Sequence, residues 1–99
     1  MSAYLLLYDT ADDVLDTAPV HYDAHCEVLA PFRESGAVLF ASPLDDPRNG
    51  AISIWVDRAS AEAFAAVDPF VLQGVVSRWH VIPWPQDESD TSRPDSTLS

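Results

Sequence analysis

The first apolar run of the chain, "AYLLLYD", reads as a β-strand with apolar side chains on both faces: Tyr4, Leu6 and Tyr8 on one, Leu5 and Leu7 on the other. A strand of that kind needs cover on both sides. "TADDVLDTAP" reads as a polar connection, after which a helix begins near Pro19 to Tyr22 and runs toward Glu34, where Gly36 stops it. Pro31 has no amide hydrogen and its ring crowds the preceding helical turn, at a cost of roughly 3 kcal/mol, which predicts a kink or an early stop. "AVLFASP" and "GAISIWV" follow as strands, and the Asp-Pro and Asn-Gly pairs of "LDDPRNG" between them predict a hairpin. Ser60 is the expected N-cap of a second helix through Val67. "PFVLQG" gives one further helical turn closed by Gly74, and "SRWHVIP" is a last strand ending at Pro83.

Strand, helix, strand, strand, helix, strand is the split βαβ order of the ferredoxin-like α+β class, βαββαβ with a four-stranded antiparallel sheet. Two helices cover only one face of such a sheet. Because the first strand is apolar on both sides and Trp55 points opposite to Ile52, Ile54 and Val56, the uncovered face is expected to pack on a second copy, giving a sheet-to-sheet homodimer.

Ninety-nine residues with 47% hydrophobic content suffice for the core of one domain without disulfides or a structural metal. We assign residues 1–84 to that domain and residues 85–99, "PQDESDTSRPDSTLS", to a disordered acidic tail, since one large aliphatic residue cannot offset the entropy of ordering the segment. Cys26, the single cysteine, forms no internal bridge. There is no leader-like start, and no apolar run approaches the roughly 20 residues of a membrane helix, so a cytoplasmic protein without membrane contact is expected. Sixteen acids face five arginines and no lysine, a net charge of -11 that repels phosphate backbones and argues against nucleic acid as a partner.

On a helix at 100° per residue, His25 falls beside Val28, Leu29 and Phe32, with Tyr22 one turn earlier. Such an imidazole is either a core histidine satisfied by one hydrogen bond or a general acid or base, histidine's ordinary pKa of about 6.5 suiting it to proton exchange near neutrality. Asp68 is the candidate that would fix which ring nitrogen is free. Asp68-Pro69 is also an N-cap followed by the first residue of a helical turn, and capping alone would account for it; the two roles are compatible if the second carboxylate oxygen is free. His21 and His25 have a spacing that binds metal when a third ligand is near, but no cluster supplies one and no metal is expected. His80 alternates with Arg78 and Ile82, which suits a half-exposed or dimer-contact role. Cys26 lies 100° from His25 without a basic neighbour and reads as packing. No glycine-rich nucleotide loop and no Gly-x-Ser-x-Gly elbow occurs, so the chemistry is expected to need no cofactor.

"YLLLYD", His25 eleven positions before Gly36, "VLFASPL", "GAISIW" and above all "DPFVLQGVV" followed by "VIPW" resemble the YciI-like (YCII-related) proteins over roughly residues 3–84. The resemblance implies a dimeric α/β barrel whose active site pairs the helix-one histidine, here His25, with the aspartate of the Asp-Pro-aromatic motif, here Asp68. Tyr22, Ser42, Pro69 and Phe70 are the candidate substrate-binding residues. Tyr22 stands where the family often has arginine, and Ser42 where it often has glycine, so an anchor for an anion is missing at position 22 and a hydroxyl is added or a strand ended at position 42. The expected function is a cofactor-independent lyase- or isomerase-like enzyme acting on a small organic substrate. The alternative is a non-catalytic small-molecule-binding or accessory domain.

Overall fold

The computed structural model describes residues 2–85. The expected tail lies outside them, apart from Pro85, which ends the last strand. The elements are β1 (Ser2–Thr10), α1 (Val14–Glu34), β2 (Val38–Pro43), β3 (Ala51–Trp55), α2 (Arg58–Val67), the short α3 (Pro69–Leu72) and β4 (Val76–Pro85). Every strand pairing is antiparallel and the order across the sheet is β2-β3-β1-β4, the ferredoxin-like arrangement.

α1 departs from the sequence reading at its start: it begins at Val14, so most of the supposed polar connection is helical. Burial of Val14 supplies the reason, tying the first turn to the core more strongly than the Asp-rich sequence disfavours it. Pro19 and Pro31 both sit inside the helix, and Pro31 causes no early stop. Both are exposed, so the carbonyls they leave without a helical partner, those of Leu15 and Glu27, lie on exposed positions where water can serve them. The helix closes with the Ala37 amide donating to the Phe32 carbonyl, the Gly36 amide donating to that of Arg33, and Gly36 at φ 82°.

The residues of β1 and β3 that face the helices form the core floor: Leu6, Tyr8 and the fully buried Trp55. Leu29 of α1 and Ala61, Phe64 and Ala65 of α2 close over them, the last three recurring at helical spacing. Phe32, Trp55 and Phe64 meet with ring centroids 5.3 to 5.5 Å apart, and the Trp55 indole donates to Ser53 Oγ at 2.7 Å, so the buried N–H is satisfied. α2 is capped by Asp57 rather than Ser60: the Asp57 carboxylate accepts from the Ser60 amide at 2.7 Å. That hydrogen bond holds the Asp57 carboxyl below its ordinary range.

No helix covers the other face, which carries Leu5, Leu7, Ile52 and Ile54, with Phe40, Ile82 and Trp84 exposed. β2 and β4 are the sheet edges, and β4 runs through Pro83 to Pro85 because an edge strand tolerates a missing donor on its outer side. The β2–β3 hairpin contains a 3-10 turn, Pro47–Asn49, capped by Asp46, and ends at Gly50. Gly50 has φ 116°, and a side chain there would drive a Cβ into the Tyr8 carbonyl oxygen. Among the described residues no helix is long and apolar enough to cross a membrane.

Candidate functional site

The break between α2 and α3 sets the carboxylate at the centre of the site. Asp68 is extended (φ -67°, ψ 122°), as a residue before proline tends to be, and so it ends α2 and caps α3 in one position. Its side chain is wholly buried, yet three donors converge on it: the Phe70 amide on Oδ1 at 3.0 Å, His25 Nδ1 on the same oxygen at 2.8 Å, and the Tyr8 hydroxyl on Oδ2 at 2.6 Å. Burial first, and then the charge and hydrogen bond of Asp68, push the Tyr8 hydroxyl far above the ordinary phenol range, so it remains a donor.

His25 projects from the middle of α1 with its side chain 16% exposed. Phe70 stacks on the imidazole at a centroid distance of 4.1 Å and 10° between planes, while Phe64 meets it edge-on at 5.8 Å. Facing a carboxylate oxygen that only accepts, the neutral imidazole carries its hydrogen on Nδ1 and the lone pair stands on Nε2. Nε2 has no protein partner among the described residues and is not a buried unsatisfied atom, so it is accessible, and His25 lines a cavity.

That cavity, about 260 Å³, lies between α1 and the helix-facing side of the sheet. Tyr22, Ser42 and Phe70 line it with His25; Pro69 does not, serving instead as the first residue of α3. Ser42 lies at the rim, its hydroxyl donating to the Pro43 carbonyl at 2.8 Å. Two lining residues correct or extend the sequence reading. Cys26, expected to pack away from His25, faces the same cavity, because the hollow is wide enough to take in a second row of α1. Tyr8 was read only as a core position of β1, whereas it is the third member of the polar cluster; a tyrosine pointing into a core needs a hydrogen-bond partner, and that was the available signal. A second groove of about 430 Å³, near the start of α1, shares Tyr22 but holds neither His25 nor Asp68. His21 does not form part of a metal-binding group: among the described residues no cluster of three His, Cys, Asp or Glu side chains comes together. His80 is exposed on the uncovered sheet face, opposite Leu7.

A ferredoxin-like domain in which a part-buried histidine of the first helix meets a wholly buried aspartate is the class that fold and geometry define. The YCII-related domain matches residues 1–85, and the chain belongs to that family. Among solved structures, the 5-chloro-2-hydroxyhydroquinone dehydrochlorinase of Burkholderia phenoliruptrix, in complex with 2,5-dihydroxybenzoquinone, is similar with a TM-score of 0.71 and 18% identity, covering 88% of this chain and 97% of that one. A NIPSNAP family protein of Agrobacterium tumefaciens is similar at a TM-score of 0.54 and 13% identity, over 88% of this chain and 93% of its own. These likenesses are likenesses of fold. No curated protein matches the chain.

Proposed function

We propose that this protein is a cofactor-independent enzyme of lyase or isomerase type, in which His25 moves a proton on a small organic substrate and Asp68 orients and supports it. The observation that carries this reading is the contact of His25 Nδ1 with a wholly buried carboxylate at 2.8 Å, which favours the hydrogen on Nδ1 and leaves Nε2 as the base of a residue that lines a mostly apolar cavity. Nε2 takes a proton from a carbon acidified by a neighbouring carbonyl, which a hydroquinone presents in its keto tautomer, and Asp68 stabilises the imidazolium that results. The electron pair left by that proton either expels a leaving group with its bonding pair, as in a lyase, or is reprotonated at another atom, as in an isomerase. A dehydrochlorinase on a similar fold makes hydroxylated and halogenated hydroquinones the first substrates to try.

The same proposal seats a second copy on the uncovered sheet face, which carries Leu5, Leu7, Ile52, Ile54, Ile82 and Trp84 beside His80. The test of the catalytic reading is His25→Ala assayed on that panel. Turnover falls by about 10²- to 10⁴-fold while the far-ultraviolet spectrum is kept. Retained turnover excludes the mechanism.

The binding-module reading rests on a separate observation. Asp68 joins β1, α1 and α3 through three hydrogen bonds, enough to explain it as a structural strut. Thermal stabilisation by small carboxylates, lactones or phenols with no product formed favours that alternative.

A further inference from the structure

The wall of the His25 cavity contains no aspartate and no glutamate, in a chain that carries sixteen. It contains one fixed cation, Arg33, in the last turn of α1. The other described arginines are engaged with carboxylates: Arg48 with Asp46 at 2.8 Å, Arg78 with Asp9 at 3.0 Å and Arg58 with Glu62 at 3.6 Å. Arg33 has no carboxylate within ion-pair distance among the described residues. It lies near enough to the exposed Tyr22 hydroxyl to act to lower it, against the larger raising effect of the Cys26 thiol.

Tyr22, Cys26, Leu29 and Arg33 recur at the spacing of one helix face, and all four line the hollow. A cation at the end of a helix also meets the negative end of its dipole, which accounts for an arginine in the last turn but not for a cavity wall cleared of acids. We propose that Arg33 is the substrate's anion anchor, so that the molecule turned over at His25 is a ring-sized organic anion, carrying a carboxylate or an ionised enol or phenol. Eight residues of helix separate the two side chains, an axial rise of about 12 Å. With the arginine side chain reaching back along the face, the charged group and the carbon that gives up its proton lie on opposite sides of a single ring. The guanidinium offers paired N–H donors to such an oxyanion.

This inference rests on the catalytic reading of the same cavity, and the experiment separates the two. The probes are 2,5-dihydroxybenzoquinone, whose enolic hydroxyls are vinylogous acids and ionised at neutral pH, and hydroquinone, uncharged and of equal ring size. Calorimetric titration of the full chain finds the anion bound at least about tenfold more tightly than the neutral ring. Arg33→Gln removes that preference, Arg33→Lys keeps part of it, and His25→Ala keeps it whole while losing turnover. If Arg33 serves only the helix, Arg33→Gln lowers the melting temperature and leaves the preference intact, which overturns the proposal. Equal binding of both rings by the native chain, or binding of neither, overturns it as well. An Arg33-dependent preference without any turnover keeps the anion anchor and removes the catalytic reading.

Discussion

The Tyr8 hydroxyl donates to Asp68 Oδ2 at 2.6 Å, joining the middle of the sheet to the α2–α3 junction across sixty positions of sequence. With the His25 and Phe70 donors on Oδ1, the carboxylate meets three hydrogens and offers none. Asp68→Asn replaces one acceptor oxygen with a donor NH₂, so at least one of the three is opposed. We expect a stability loss of roughly 1–3 kcal/mol in urea titration. The amide oxygen keeps its place toward the Phe70 and His25 donors, the NH₂ opposes the Tyr8 hydroxyl, and turnover falls because the charge that supports the imidazolium is lost.

Alkaline stability reports on Tyr8. Its folded-state pKa is raised, by burial above all, while an unfolded tyrosine ionises near pH 10. Above about pH 10 the unfolded chain binds fewer protons than the folded one, so the stability that Tyr8 contributes is complete below that pH and declines above it, by up to about 1.4 kcal/mol per pH unit. Urea midpoints measured from pH 9 to 11 fall with increasing pH in the native chain. Tyr8→Phe is less stable at neutral pH and shows a flatter decline.

Gly50→Ala strains the hairpin twice over, through a φ of 116° and through the Tyr8 carbonyl that the new methyl meets. The unfavourable backbone conformation alone costs on the order of 1–3 kcal/mol. Thermal unfolding therefore comes lower than in Gly36→Ala, where φ is also positive but a Cβ meets nothing within 4 Å.

Ile54 lies between Leu5 of β1 and Phe40 of β2 on the uncovered face. Ile54→Glu puts a charge at the centre of the proposed dimer contact. Sedimentation finds the native chain at twice its 10.8 kDa mass and the variant at a single mass with unchanged secondary structure. A native chain that sediments as a monomer removes the dimer from the proposal.

The four strands were legible because their apolar runs are short and bounded by Gly, Pro and Asp; the meeting of His25 with Asp68 was implied by the resemblance of the Asp-Pro-aromatic motif, since the helical stripe and the Asp-Pro junction alone left core packing and capping open. What escaped were features decided by tertiary contacts. Val14 draws the start of α1 forward by burying itself, a gain that local composition does not register. Asp57, not Ser60, caps α2 because the carboxylate one residue before the helix reaches the third amide, a boundary shift that propensity does not resolve. Cys26 and Arg33 join the site through the width of the hollow, which no periodicity specifies.

Both margins of the sheet are blunted. Pro83 and Pro85 occupy alternate positions of β4 opposite Tyr4 and Ser2, so the donors they lack are missing from the side turned away from β1. β2 ends in Pro43 and breaks register between Val38 and Phe40. Strand-by-strand polymerisation is thereby discouraged at either end, whereas the proposed face-to-face pairing would terminate after two copies instead of growing into a fibre.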